Sequence, residues 1–251
     1  MPIPSPDQLT TFSSLPLSVD SPSPVPDQEK DKKDTYLLAT IKSNLTITKP
    51  TLILTDSSNQ DFALVFDPPP FTVRNPNAVA EKFKELGLKK GNAVVIRNAR
   101  RTKAEREGGQ GFVVLSSLGA LAEAEAGADD GKKEKGNEGD RESGGKLLGV
   151  VPGPLQMTKW MMEILRQRDE SSPPEEREEK MCDGKFDGCL TPRGKDRKDG
   201  GGLEALKRCQ GCVEVWYCSK ECQKRRWIAH KDECKAIKAL RRIWPRPEGV
   251  E

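Results

Sequence analysis

One segment of the sequence, from Cys209 to Cys234, reads CQGCVEVWYCSKECQKRRWIAHKDEC. Together with CDGKFDGCL at 182–190, it holds all seven cysteines and the single histidine of the 251-residue chain. Closed structural zinc sites take four thiolate or imidazole ligands in a tetrahedron. The candidate ligands fill two such sets, which predicts two bound Zn²⁺ ions. They are Cys182, Cys189, Cys209, Cys212, Cys218, Cys222, His230 and Cys234.

The spacing within this stretch supports metal binding. The C-x2-C pair that begins at Cys209 closes a tight knuckle around one ion. Two further pairs lie four residues apart, Cys218 with Cys222 and His230 with Cys234, so a helix places each pair on one face. Buried free thiols have no reason to recur at these intervals. A disulfide framework is also disfavoured, because the N-terminus lacks the pattern of a signal peptide.

The stretch resembles the MYND-type zinc finger, whose pattern is C-x2-C, then Y-C-S-x-x-C-Q, then W-x-x-H-K-x-x-C. The resemblance extends to five residues that are not ligands. They are Tyr217, Ser219, Gln223, Trp227 and Lys231. One departure is that six residues separate Cys182 from Cys189, where the commoner family pattern has two.

The resemblance implies an interleaved arrangement of the two ions. One ion would be held by Cys182, Cys189, Cys218 and Cys222, and the other by Cys209, Cys212, His230 and Cys234. Because both sets are full, neither leaves an open position for a catalytic water. MYND fingers as a family bind short proline-containing peptides of partner proteins, and the matching peptide-contacting positions are Gln223 and Trp227. The alternative role of Trp227 is core packing against the zinc loops.

Residues 35–118 predict a separate domain. Strand-like segments rich in β-branched residues follow one another in the order three strands, one helix and two strands. The helix carries Val79 and Phe83 at helical spacing. This order resembles the OB-fold, a small five-stranded barrel that commonly binds single strands. Phe62 and Phe66 flank an apolar residue on one strand face, which favours core packing over a stacking platform.

The composition, 34% apolar and 32% charged, indicates folded islands joined by disordered segments. The predicted fold class is therefore a multi-part α+β protein, with a small OB-like barrel and a C-terminal two-zinc finger with short helices. In chain order we expect a disordered Pro-rich tail at 1–34, a β-barrel-like domain at 35–168 with a flexible insertion at 121–146, a linker at 169–181, the MYND-type finger at 182–234, and a basic C-terminal helix and tail at 235–251.

The predicted function is a zinc-binding protein–protein interaction module in an adaptor or a regulatory, transcription-related protein. The alternative is nucleic-acid binding through the OB-like domain and the basic C-terminal segment, since Lys207–Arg246 holds twelve Lys or Arg against four Asp or Glu. A solvated helical face accounts for the same charge. Some MYND proteins carry a methyltransferase domain split around the finger, but we expect no enzymatic activity here, because no cofactor or nucleophile motif occurs and only 17 residues follow Cys234. No run reaches the roughly 18 apolar residues of a membrane span, so we expect no membrane partner and a nuclear or cytoplasmic location.

Overall fold

The structure is a computed structural model that describes residues 2–18, 33–67, 76–104, 107, 109–115, 148–170 and 207–246. The chain divides into two compact units, Pro4–Thr158 and Lys159–Glu251, and the first three residues belong to the second unit. The predicted insertion at 121–146 and the predicted ligands Cys182 and Cys189 lie outside the described residues.

A seven-stranded sheet forms the first unit. Its strands are β1 (Leu9–Thr10), β2 (Tyr36–Asn44), β3 (Thr51–Asp56), β4 (Asp61–Phe66), β5 (Ala93–Arg97), β6 (Val113–Leu115) and β7 (Leu148–Val151). The order across the sheet is β6-β4-β3-β2-β5-β7, and β1 pairs in parallel with the first two residues of β2. The β4–β6 pair is also parallel, and the other neighbours are antiparallel.

The sheet curls into a half-barrel. Beyond the end of β5, an isolated antiparallel bridge joins Arg101 to Val113 of β6, and the Thr102 N–H donates to the Phe112 carbonyl oxygen at 2.8 Å. This bridge brings the segment that follows β5 close to β6, although β5 and β6 lie apart in the ladder order. The mixed α+β class is confirmed, whereas the OB-like identity of residues 35–118 stays a prediction.

The core of this unit lies on one face of the sheet. Buried and partly exposed residues alternate along β3 and β4, which is the period of a sheet with one covered face. Phe62 and Phe66 are buried, as predicted. Helix α1 (Pro76–Glu85) contributes the buried residues Val79 and Phe83, and the ring of Phe83 lies 5.4 Å from that of Phe66.

The prediction of a disordered tail at 1–34 is wrong for its first half. Phe12 is fully buried and stacks on Phe62, with ring centroids 4.6 Å apart and an interplanar angle of 10°. The buried carboxylate of Asp56 accepts a hydrogen bond from the Phe12 N–H at 2.8 Å. Despite its prolines, this segment forms β1 and two short 3-10 helices, and its apolar residues fill part of the core. Residues 19–32 lie outside the described residues.

The second unit carries the cysteine stretch on three elements that follow helix α2 (Leu155–Glu170). They are β8 (Lys207–Arg208), β9 (Trp216–Tyr217), which pairs antiparallel with β8, and helix α3 (Lys220–Ile243). Within the described residues, no helix combines the length and the apolar character that crossing a membrane requires.

Two predicted boundaries in this part of the chain differ from the structure. Helix α2 belongs to the second unit from Lys159 onward and includes Asp169 and Glu170, which were assigned to a linker at 169–181. The rest of that linker lies outside the described residues. A single 24-residue helix, α3, replaces the predicted short helices and the separate basic helix. No Gly or Pro interrupts α3, and it ends just before the Trp244–Pro245 pair, where proline disfavours helix.

Candidate metal centre

The C-x2-C knuckle connects β8 to β9. The Cys209 N–H donates to the Val215 carbonyl oxygen at 2.8 Å, and the Val213 N–H donates to the Cys209 carbonyl oxygen at 2.9 Å. Val213 adopts a left-handed backbone conformation with φ of 61°, which is unfavourable for a β-branched residue. The knuckle therefore holds Cys209 and Cys212 close together at the cost of local strain.

Gly211 allows the thiols to approach this knuckle closely. A Cβ atom at this position would lie 2.7 Å from the Cys234 Sγ and 3.7 Å from the Cys209 Sγ. The first distance is far shorter than a van der Waals contact, so with any side chain at Gly211 either the knuckle or the Cys234 thiol must shift. The missing side chain thus makes room for a third thiol beside the knuckle.

Helix α3 supplies the remaining donors. It begins after Ser219, whose hydroxyl accepts a hydrogen bond from the Cys222 N–H at 3.2 Å, as expected of a helix cap. His230 and Cys234 lie one turn apart on the face that is turned to the knuckle, and both are buried. The predicted helical spacing of this pair is therefore confirmed.

Four donors converge at this point, namely the Sγ atoms of Cys209, Cys212 and Cys234 and a ring nitrogen of His230. All lie within 4.8 Å of one another. A tetrahedral zinc ion separates two sulfur ligands by about 3.8 Å, and a sulfur from a nitrogen ligand by about 3.5 Å, when its bonds have their usual lengths. The Cys209 and Cys234 sulfur atoms are 3.8 Å apart, and the Cys212 sulfur lies 3.5 Å from His230 Nε2. The four residues thus fit a single zinc ion.

The second nitrogen of His230 faces an acidic side chain. His230 Nδ1 lies 3.6 Å from Glu233 Oε2, and both oxygens of Glu233 accept from Arg226 Nη2 at 3.0 Å. A carboxylate beside the free nitrogen of a ligating histidine orients the ring and strengthens the ligand. This arrangement assigns Nε2 to the metal.

The electrostatics of the cluster are compatible with a bound cation. Burial raises the pKa of Cys212 to about 12, and burial and the adjacent Cys209 raise the pKa of Cys234. The Cys209 thiol is different: burial opposes its ionisation, but the N–H groups of Cys212 and Gly211 bring its pKa below the usual value. Three thiolates in one buried cluster repel each other, and a divalent ion offsets that repulsion.

The second predicted set is described only in part. Cys218 and Cys222 lie at the start of α3, with their sulfur atoms 3.3 Å apart, close enough to bind one ion together. Both are partly exposed, unlike the four residues of the first cluster. Their predicted partners, Cys182 and Cys189, fall outside the described residues.

A buried ion-pair network, which the sequence did not indicate, surrounds the knuckle. Glu214, only 5% exposed, accepts from Arg241 Nε at 2.7 Å and pairs with Arg246 at 2.8 Å. Arg241 also forms two hydrogen bonds of 2.8 Å with Asp169 of α2, and the Glu214 carbonyl oxygen accepts from Arg168 at 2.5 Å. The network ties the knuckle to both helices of the unit.

Both predicted peptide-contacting residues lie on α3. Gln223 is half-buried, and Trp227, one turn later, is 42% exposed. The ring of Trp227 meets that of His230 edge-on, with centroids 6.0 Å apart. One part of the indole therefore packs against a zinc ligand while another faces solvent.

Comparison with known proteins identifies the cysteine stretch. Residues 193–234 match the family model of the MYND finger. A 35-residue segment is 54% identical to the histone-lysine N-methyltransferase ASHR1 of Arabidopsis thaliana, covering 14% of this chain and 7% of that protein. Human histone-lysine N-methyltransferase SMYD3 is 45% identical over 49 residues, which are 20% of this chain and 11% of that protein. Chicken N-lysine methyltransferase SMYD2 is 39% identical over 64 residues, covering 26% and 12%.

These relatives correct the prediction that the protein is not an enzyme. That prediction relied on the absence of a cofactor or nucleophile motif, whereas the relatives are named as lysine methyltransferases. The matches are confined to the region of the finger, so the chain spans only about a tenth of the length of these relatives. Residues 193–234 form a MYND finger, a zinc-binding module of protein–protein interaction.

Proposed function

We propose that the finger docks proline-containing peptides of partner proteins, as an adaptor or regulatory module related to transcription, with Gln223 and Trp227 as the contact residues. The partly exposed indole of Trp227 carries the proposal. A flat aromatic ring that is fixed on one side and open on the other is a good platform for a preformed polyproline segment. Contact with His230 fixes the Trp227 ring, so that the zinc site presents the platform in one orientation.

We also propose the ligand sets of the two zinc ions. Cys209, Cys212, His230 and Cys234 hold one ion, which the sulfur–sulfur and sulfur–nitrogen separations support. Cys182, Cys189, Cys218 and Cys222 hold the other, which the proximity of the last two supports. Metal analysis of the purified chain is expected to give two zinc equivalents, and one equivalent would contradict the second set.

The docking proposal is tested by titrating a labelled proline-rich peptide into the zinc-loaded protein. Trp227→Ala is expected to weaken binding about thirtyfold, the loss that follows from truncating a central aromatic anchor. Gln223→Ala should also weaken it, and neither change should lower the zinc content, because neither residue is a ligand.

Trp160→Ala is the matched control, since Trp160 is also exposed but lies on α2. It should leave the affinity unchanged. Wild-type affinity in a folded, zinc-loaded Trp227→Ala protein refutes the docking proposal.

The nucleic-acid alternative has less support in the first unit. The exposed large hydrophobic residues among its described residues are Leu17, Leu45, Ile47 and Val114, and none is aromatic. Base stacking on an OB-like barrel requires exposed aromatic rings. The described surface of this unit therefore offers no stacking platform.

Lysine methylation is a second candidate function, and the names of the relatives favour it. The finger itself is a poor catalyst, since a zinc ion with four protein ligands has no open position. Methyl transfer would therefore depend on residues outside the finger. Mass spectrometry of substrate proteins after incubation with the chain and a methyl donor would detect methyl-lysine.

A further inference from the structure

The apolar surface around Trp227 extends to a residue that the sequence analysis did not single out. Ile228, the next residue of α3, is 90% exposed, the largest exposure among the described large hydrophobic residues. Single exposed apolar residues are common on protein surfaces. Here, however, Ile228 adjoins the exposed ring of Trp227 on the same helix. The two side chains together form a solvent-facing apolar pair.

Helix geometry places basic residues around this pair. Residues three and four positions from Ile228 are its neighbours on the helix surface. On the N-terminal side these are Lys224 and Arg225, and on the C-terminal side Lys231 and Asp232. We define Lys224, Arg225, Trp227, Ile228 and Lys231 as the docking face. Asp232 is not included, because it pairs with Lys235 at 3.1 Å.

The three cations of the docking face are exposed, and none has an ion pair among the described residues. Elsewhere in the described part of the finger, residues 207–234, the acidic groups are already engaged. Glu233 pairs with Arg226, and Glu214 with Arg241 and Arg246.

Glu221 is also engaged. Its pKa is lowered chiefly by its own backbone N–H and by the Ser219 hydroxyl, and only then by Lys224, so this carboxylate mainly caps the helix. The docking face therefore keeps a positive charge that the acids among the described residues of the finger do not fully neutralise.

We propose that the docking face selects proline-containing peptides in which an apolar residue is flanked by acidic ones. The inference rests on the proposed docking function and specifies its partner. The apolar residue covers Ile228 and Trp227, and the flanking carboxylates pair with Lys224, Arg225 and Lys231. Charge complementarity favours this occupant over a neutral peptide. A nucleic acid would use the same cations but would gain little from an exposed isoleucine.

The test uses the full zinc-loaded chain and three synthetic peptides that share the centre Pro-Ser-Val-Pro and are flanked on both sides by Glu, Gln or Lys. Surface ion pairs each contribute modestly, so the Glu-flanked peptide is expected to bind about tenfold tighter than the Gln-flanked one at low salt. The advantage should shrink as salt screens the charges, while the affinity for the Gln-flanked peptide stays nearly constant. The Lys-flanked peptide should bind least well.

The variants separate the two parts of the face. A triple variant removes the three cations together: Lys224→Gln, Arg225→Gln and Lys231→Gln. It is expected to abolish the preference for Glu flanks without lowering the affinity for the Gln-flanked peptide. Ile228→Ser should weaken all three peptides about tenfold. Arg242→Gln is the matched control, because Arg242 is exposed on the same helix but lies fourteen residues beyond Ile228, about 21 Å along the helix axis, and it should leave the preference intact.

The outcomes distinguish this inference from the proposed function. If Trp227→Ala weakens the Gln-flanked peptide but Glu flanks give no advantage, docking stands and the charge selection is overturned. If no peptide binds the wild-type chain, both proposals fail. A single-stranded DNA oligonucleotide serves as the third probe. One result would have the oligonucleotide displace the Glu-flanked peptide and bind in a way that depends on the three cations but not on Ile228. That result assigns the face to nucleic acid and overturns the inference.

Discussion

Substituting Gly211 by alanine tests whether the knuckle geometry sets the zinc affinity. The added Cβ atom would lie 2.7 Å from the Cys234 sulfur, about 1 Å inside a normal carbon–sulfur contact. The backbone of Gly211 is not in the left-handed region, so alanine brings no φ strain, and the clash is the whole perturbation. Either the knuckle or the Cys234 thiolate must move.

The size of that movement decides the expected effect. Metal–ligand distances in a sound site hold to within about 0.2 Å, so a displacement of about 1 Å removes one ligand from the coordination sphere. Structural zinc sites contribute roughly 10–16 kcal/mol. An equal share for each of four ligands is about 2.5–4 kcal/mol. Gly211→Ala is therefore expected to lower zinc affinity by about a hundredfold or somewhat more.

Competition with a chromophoric chelator measures this affinity directly. Gln210→Ala is the matched control, since it alters the neighbouring exposed residue of the same knuckle and should leave the affinity unchanged. The second zinc site should also keep its occupancy in Gly211→Ala, because Cys218 and Cys222 do not contact the knuckle glycine. Wild-type affinity in Gly211→Ala would show that the cluster tolerates the displaced thiol, and the four-ligand assignment would be wrong.

Two further predictions concern buried charges. Arg241→Ala leaves the carboxylates of Asp169 and Glu214 buried with too few partners, so the free energy of unfolding should fall by about 3–5 kcal/mol. The control Lys235→Ala removes an exposed ion pair and should lower it by at most about 1 kcal/mol. Denaturation followed by tryptophan fluorescence measures both values, and similar losses in the two variants would contradict the network. For Asp56, burial opposes ionisation, but the N–H groups of Phe12, Gln60 and Ser58 lower its pKa below the usual 3.8. The ionised carboxylate therefore contributes its full stability above pH 3.8, and this contribution is lost as the pH falls through the pKa of the folded state. Unfolding free energies measured across that acid range should therefore fall less steeply with acid in Asp56→Asn than in the wild type, and parallel curves would rule out this role.

The candidate metal ligands of the described region were predictable because their arrangement is local. A C-x2-C knuckle and an i, i+4 pair on a helix depend only on nearby residues, and the structure forms both. The helix that carries His230 and Cys234 was predicted too short, since sequence patterns mark helix ends by Gly and Pro and none lies between Lys220 and Ile243. The relative positions of His230 and Cys234 were still predicted correctly, because the spacing within one helical turn does not depend on where the helix ends.

The contacts that the sequence did not indicate join residues far apart in the chain. Arg241 meets Asp169, 72 positions earlier, and the N–H of Phe12 meets Asp56, 44 positions later. No local pattern marks such a pair, because an arginine in a basic helix and an aspartate in a predicted linker look like ordinary solvated residues. The same limit applies to Gly211, whose importance follows from a thiol that approaches from another element.

Charge counted along the sequence has a related weakness. Between Lys207 and Arg246 the twelve basic residues appear equivalent, and their excess over four acidic ones favours a broad basic surface. In the structure the basic residues are not equivalent, because Arg226, Arg241 and Arg246 are paired with acidic residues. Three of the remaining cations, Lys224, Arg225 and Lys231, lie beside Trp227 and Ile228. Positive charges beside exposed apolar side chains suit an acidic, partly apolar peptide better than the regular array of phosphates along a nucleic acid.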